Sequence, residues 1–232
     1  MKSTGTTPDI PILFEDNHLL VVTKPAGVLS QEDHTGRPDL LTLCKEYIKK
    51  EHNKPGNVFL GLLHRLDRPV SGVMVFAKTS KAASRISEQI RKRTVKKWYL
   101  TVVEGTPPKN GFLEHHLLKN KQKNLVEVVQ SPQKKSKLAK LTFKTVEQKD
   151  HLALVDVNLQ TGRAHQIRVQ LAAINCPISG DEKYGTARKY PIALHAYKFR
   201  LDHPTKKEPL TFEAPLPDTQ PWTKFSTPAT NG

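Results

Sequence analysis

Residues 61–72 read GLLHRLDRPVSG and bring His64, Arg65, Asp67 and Arg68 within five positions. Two arginines beside a carboxylate favour its charged form, which suits a nucleophile or general base better than an acid. A surface loop with a local ion pair would use the same residues. A second group, LQTGRAHQIRVQL at residues 159–171, carries Arg163, His165, Gln166, Arg168 and Gln170. Read as a helix, it lines Ala164, Ile167, Leu171 and Ile174 into one apolar stripe. Arg168 borders that stripe, and an arginine turned towards a core needs a carboxylate partner. Arg163, Gln166 and Gln170 face the other way, where they would hold phosphate or base edges. Arg163 also lies near the expected helix N-terminus, where backbone N–H groups favour anions. His165 taken alone reads more simply as a structural histidine. Two groups are weaker: ISGDEKYG at 178–185, a glycine-bounded loop with Asp181, Lys183 and Tyr184, and KKWYL at 96–100, which sets Tyr99 in a strand. A strand tyrosine ordinarily serves the core.

The elements that must position these groups are mostly strands. An apolar run at 19–23 is stopped by the turn signal Lys24-Pro25-Ala26-Gly27, and another covers 73–77. Ser80 is expected to cap a helix over 81–93, with Ala82, Ile86 and Ile90 on one face. Strands are expected at 98–103, 112–118, 125–129, 138–146 and 152–159. Thr161-Gly162 then opens a helix over 163–174, and strands at 192–201 and 210–212 close the pattern. Consecutive strands joined by short turns argue an α+β fold, a mixed and mainly antiparallel sheet flanked by a few helices. The strict strand–helix alternation of a doubly wound fold is missing. Residues 1–9 read as a polar, frayed start. Residues 215–232 read as a loosely ordered end that Trp222 and Phe225 would dock.

The whole chain bounds the chemistry further. Its 232 residues fit one large domain or two small ones, and 37% apolar residues suffice for a packed core. No apolar run approaches the ~18 residues of a membrane-spanning helix, and the first residues lack the apolar stretch of a secretion signal. Cys44 and Cys176 are too far apart for a CxxC site, which excludes a disulfide scaffold and a zinc finger and suggests a reducing, cytoplasmic setting. Thirty-seven Lys and Arg against 22 Asp and Glu leave a net charge of +15. Such a surface binds polyphosphates through counterion release, so nucleic acid is the expected partner, against the plainer reading of a generic basic protein. The most basic stretch, KNKQKNLVEVVQSPQKKSKLAK at 119–140, is either a nucleic-acid-binding arm or a solvated face.

Taken together, HRLDRPVSG (64–72), KKWY (96–99), TGRAHQIRVQL (161–171), PISGDEKYG (177–185) and LHAYKFRLDHP (194–204) resemble the RluA-type pseudouridine synthases. EDNHLLVVTKPAGVLS at 15–30 fits as well, and the matches keep the family's order from residue 15 to 217. The resemblance implies isomerisation of uridine in RNA to pseudouridine, with no cofactor and no metal, in a cleft across the sheet. It makes Asp67 the catalytic aspartate, which either attacks C1′ or takes the 2′ proton. It makes Arg168 the partner of that aspartate, in agreement with the stripe argument. Tyr99 is expected to stack on the uracil and to assist a late proton transfer, and Arg65 to enter the stack where the target base left. His64, Arg68, Arg163, His165 and Gln166 are expected at the RNA, with Lys134, Lys135 and Lys137 as an arm.

The implied substrate is tRNA or rRNA, with tRNA favoured as a compact target, and the default assembly is a monomer. The expected organisation is a tail at 1–14, a catalytic domain at 15–217 and a tail at 218–232. The S4 domain of many relatives is expected to be missing, because about 14 residues precede the first motif. Val70 stands where the family often has threonine, so a hydrogen bond made there is lost, with activity expected to survive. Two other readings stay open. One is an inactive RNA-binding or RNA-chaperone protein, against which Asp67, Tyr99 and Arg168 all stand. The other is a hydrolase, which would need a metal or a second carboxylate such as Asp181.

Overall fold

The computed structural model describes residues 10–120, 122–188 and 190–226. The expected frayed start at 1–9, Lys121 of the basic stretch and residues 227–232 of the expected C-terminal tail lie outside them. Two uninterrupted apolar runs form the centre of one sheet. Strands β2 (Leu19–Lys24) and β4 (Ser71–Ala77) are buried on both faces, so neither shows the alternation of a half-exposed strand. Strand β1 (Ile12–Glu15) pairs with β2, and β3 (Gly61–Leu62) pairs with the end of β4. The longer strands are β5 (Lys96–Glu104), β6 (Asn110–Asn120), β7 (Leu125–Val129), β8 (Lys137–Lys149) and β9 (Leu152–Leu159). Strands β10 (Leu194–Asp202) and β11 (Pro209–Glu213) complete the set. The sheet runs β1-β2-β4-β10-β5-β9-β8-β6-β7, with β3 on β4 and β11 on β10. Every pairing is antiparallel except β4 with β10. The α+β class is as the strand pattern indicates.

Strand β10 joins two half-sheets, and its grip on β4 is short: His195 faces Ser71 and Ala196 faces Gly72. Ser71 Oγ and His195 Nδ1 lie 2.8 Å apart at this junction. Gly72 is required there. Its φ is +121°, and a Cβ would lie 2.3 Å from the Ala196 carbonyl oxygen.

Among the described residues three α-helices flank the sheet. Helix α1 (Leu40–Glu51) was not anticipated; it buries Leu40, Cys44 and Ile48 on one stripe and is capped by Asp39, whose carboxylate accepts from the Thr42 N–H. Helix α2 (Ser80–Lys92) lies where expected, but its cap is Thr79 rather than Ser80. Thr79 is extended and its Oγ1 accepts from the Ala82 N–H, so Ser80 sits in the first turn. Helix α3 (Gln166–Ala172) is shorter than the expected 163–174. His165 has φ +51°, a left-handed backbone that prevents the helix from starting earlier, so Arg163 precedes the helix and Ala164 is exposed outside it.

Leu20, Val22, Met74 and Phe76 point into the principal core, and Leu19, Val21, Val73 and Val75 into a second one with Ile86, Phe199 and Phe212. Val70 is buried in the principal core, where methyls pack without the partner a hydroxyl would need. Trp222 and Phe225 are buried there too, so the chain up to residue 226 belongs to the packed body rather than to a tail beginning at 218. Likewise β1 begins inside the tail expected over 1–14. Among the described residues no helix is long and apolar enough to cross a membrane.

Candidate active site

The site starts from a split in the sheet. One edge of β4 is taken by β3 at Phe76 and Ala77 and by β10 at Ser71 and Gly72, and the residues between face neither strand. His64 fills the gap: its Nε2 accepts from the Val75 N–H at 3.1 Å and its ring stacks on Phe199 at 4.8 Å. Burial, and then the Lys97 charge, hold this imidazole well below its ordinary pKa, so it stays a neutral acceptor. His64 borders the cleft described below, and within it Nε2 is committed to the sheet. Lys97 lies over the same Phe199 ring, 5.6 Å from its centroid, and burial pushes its ammonium down to about 8.

The loop emerging from this split carries Asp67, and two side chains pin its backbone. Ser30 Oγ accepts from the Leu66 N–H and donates to the Leu66 carbonyl. Lys24, wholly buried, donates from Nζ to the carbonyls of Pro25 (2.9 Å), Val28 (2.7 Å) and Arg68 (3.0 Å). Burial pushes its pKa down to about 7, with the Asp67 charge acting the other way. In the sequence Lys24 reads only as part of a turn signal; the sign of its role is a lysine closing a buried strand that opens Leu-Leu-Val-Val.

Arg168 reaches the loop from α3. Its Nε and Nη2 form a fork on Asp181, 2.8 Å to Oδ2 and 2.6 Å to Oδ1, and its Nη1 meets Asp67 Oδ2 at 3.2 Å. Asp181 is fully buried, whereas the Asp67 side chain is 32% exposed. Arg168 therefore has the carboxylate partner its stripe position demanded, and a second one that the spacing did not reveal. Asp181 Oδ1 also accepts from the N–H groups of Lys183 and Tyr184, which folds the glycine-bounded loop around it.

His165 Nε2 lies 3.8 Å from Asp67 Oδ2, and its Nδ1 is 2.7 Å from the Tyr184 hydroxyl. Burial lowers its pKa against the opposing pull of Asp67. Tyr99 is almost buried on β5, and burial, followed by the Asp67 charge, raises its phenol, which stays protonated.

These groups line one cleft of about 1220 Å³, above the ~300–1,000 Å³ of small-ligand pockets and suited to a piece of polymer. Asp67, Tyr99, Arg168, Arg65, Arg68, Arg163 and His165 all border it. Gln166 does not open onto it as an RNA contact. It is 3% exposed, and its amide is spent on Thr161, the Arg163 N–H and the Lys140 carbonyl. Gln170, likewise buried, donates to the carbonyls of Leu113 and Ala139. Arg163 Nε donates to the Leu138 carbonyl. Lys134, Lys135 and Lys137 do not line the cleft; Lys119 and Lys183 do. Among the described residues no three His, Cys, Asp or Glu side chains gather as metal ligands.

A family model described as RNA pseudouridylate synthase matches residues 18–173, the span that holds Asp67, Tyr99 and Arg168. The chain belongs to the RNA pseudouridylate synthase family. It is 35% identical to an uncharacterized RNA pseudouridine synthase of Bacillus subtilis over 90% of this chain and 69% of that one. It is 33% identical to the ribosomal large subunit pseudouridine synthase D of Nitrosomonas europaea over 90% of this chain and 62% of the other, so it spans about two thirds of these relatives' length. The solved structure of human RNA pseudouridylate synthase domain containing 4 superposes with a TM-score of 0.76 at 25% identity, over 90% and 89% of the two chains. The pseudouridine synthase fold is thus reached from sequence and from shape.

Proposed function

We propose that this synthase isomerises uridine in structured ribosomal RNA, with Asp67 as the group that acts on the sugar of a flipped-out nucleotide. The observation that carries the reading is the partly exposed Asp67 carboxylate held on Arg168 in a cleft bordered by arginines and by the Tyr99 phenol. The reacting atoms of a stacked base are out of reach, so the nucleotide must leave the stack, at a cost of a few kcal/mol that contacts in the cleft offset. Arg65, exposed at the cleft, then occupies the vacated position. The C1′–N1 bond then breaks, the uracil turns, and C1′ joins C5, whose proton is finally lost. Asp67 serves either by adding to C1′ or by taking the 2′ proton, and both roles need one carboxylate oxygen free of the ion pair. Tyr99, neutral and nearly buried, supplies a flat face for the uracil, and its hydroxyl assists the last transfer, in which C5 loses a proton and the freed N1 gains one.

Ribosomal RNA is preferred to tRNA because relatives over most of this chain are ribosomal large subunit synthases. The deciding experiment maps pseudouridine at nucleotide resolution in rRNA and tRNA from cells with and without the gene. One rRNA site should disappear and return with the wild-type chain but not with Asp67→Ala. Loss confined to tRNA would overturn the substrate, and no lost site would favour a protein that binds RNA without modifying it.

A further inference from the structure

The proton on the His165 ring can be placed from its neighbours. The Val126 N–H of β7 donates to the Tyr184 hydroxyl oxygen at 2.8 Å. His165 Nδ1 is the other polar neighbour of that hydroxyl, at 2.7 Å. A phenol has one proton to give, and with an N–H already filling one acceptor site the hydroxyl directs that proton at Nδ1. Nδ1 is then the acceptor nitrogen of a neutral imidazole, so the ring proton sits on Nε2, 3.8 Å from Oδ2 of Asp67. The Tyr184 ring is itself held edge-on to His165 and beneath the Arg168 guanidinium, 5.3 Å from its centroid.

We propose that His165 is a positioning residue for Asp67: Tyr184 fixes it as the Nε2–H tautomer, and its proton joins Arg168 Nη1 on Oδ2, leaving Oδ1 as the oxygen offered to the ribose. Arg168 hydrogen-bonds Oδ2, which is also the Asp67 oxygen nearest to His165. A single guanidinium contact would let the carboxylate turn about its Cβ–Cγ bond and exchange its oxygens; a second donor on the same oxygen opposes that rotation. At 3.8 Å the His165 contact is longer than a hydrogen bond, as catalytic contacts often are before substrate closes the site. The left-handed residue 165 is the N-cap of α3, and from there its ring lies between Asp67 and Tyr184. The chain of donors begins on β7, so the basic β6–β7 hairpin is mechanically part of the catalytic site. Lys183 strengthens the link by donating to the Asn124 carbonyl at the hairpin tip.

The inference rests on the proposed role of Asp67, and its first test needs no turnover. Nitrogen-15 NMR of the wild-type imidazole at neutral pH should show His165 protonated on Nε2, with Nδ1 bare. A proton on Nδ1 overturns the proposal. In Tyr184→Phe the tautomer preference should weaken and kcat should fall about tenfold with KM changed less than about twofold. His165→Gln keeps an N–H donor near the Nε2 position and should retain most of kcat, whereas His165→Ala should fall at least as far as Tyr184→Phe. Equal kcat in the Gln and Ala variants, or an unchanged kcat in Tyr184→Phe, also overturns it. Should Tyr184→Phe fail to fold, the wild-type spectrum and the two His165 variants still decide. A wild-type protein that modifies no RNA yet shows the Nε2–H ring would remove the functional reading while upholding the orientation of the ring.

Discussion

Arg168 is fixed at one end by its fork on Asp181 and meets Asp67 with the nitrogen left over. The two carboxylates therefore respond differently to substitution. Arg168→Ala strands Asp181, fully buried, without a cation, which costs about 3–5 kcal/mol. For a chain of this size the melting temperature should drop by roughly 10 °C, read by calorimetry. A melting point within a few degrees of wild type would contradict the shared ion pair. Asp67 is a third exposed, so Asp67→Ala should leave the melting temperature near wild type and reduce turnover at least about a thousandfold in single-turnover assays. Turnover within tenfold of wild type would remove Asp67 from the chemistry. His195 gives a pH signature elsewhere. Burial holds its pKa down at about 4, against an ordinary 6.5. Between those values the unfolded chain takes up a proton that the folded protein refuses, so stability is lost as pH falls from 6.5 towards 4. The full effect is about 3 kcal/mol. Urea unfolding at pH 7 and pH 5 should show the loss in wild type and a smaller one in His195→Gln; equal losses would contradict the assignment.

The β7–β8 connection carries Lys134 and Lys135, and Lys137 opens β8; all three are exposed and lie outside the cleft. As an RNA-binding arm, the triple change to Gln should lower the slope of log K against log salt by about 2–3. An unchanged slope in filter binding would make the turn a solvated face. Strands β7 and β9 were readable to the residue because their apolar runs end in clear turns. Helix α1 was not, because Lys45, Glu46, Lys49 and Lys50 dilute the stripe of Leu40, Cys44 and Ile48. The start of α3 was misplaced because no residue pattern announces that His165 turns left-handed. In the site, Asp67 and Arg168 were legible from motif and stripe together. The second carboxylate on Arg168 was not, since Asp181 lies in a loop whose path depends on tertiary packing. Gln166 looked like an RNA contact because a polar side chain that ties a loop carries no local mark of it.

Over the whole molecule, a net charge of +15 and the arginines at the cleft predict binding dominated by counterion release. Affinity for structured RNA should fall by about 10³-fold or more between 50 and 200 mM salt. A shallow dependence would mean that contacts inside the cleft, rather than the backbone field, carry the affinity. The β10 strand has a consequence in time. Asp67 belongs to the half-sheet of β1, β2 and β4, and Tyr99 to the half-sheet of β5 to β9; β10 lies between them, and Ser71 waits 124 positions for His195. So distant a closure is the slow kind of folding step, and during synthesis it has to await β10. A nascent chain still short of β10 holds Asp67 and Tyr99 on separate halves, so the timing of one strand, rather than of the residues proposed to do the chemistry, sets when the cleft first exists.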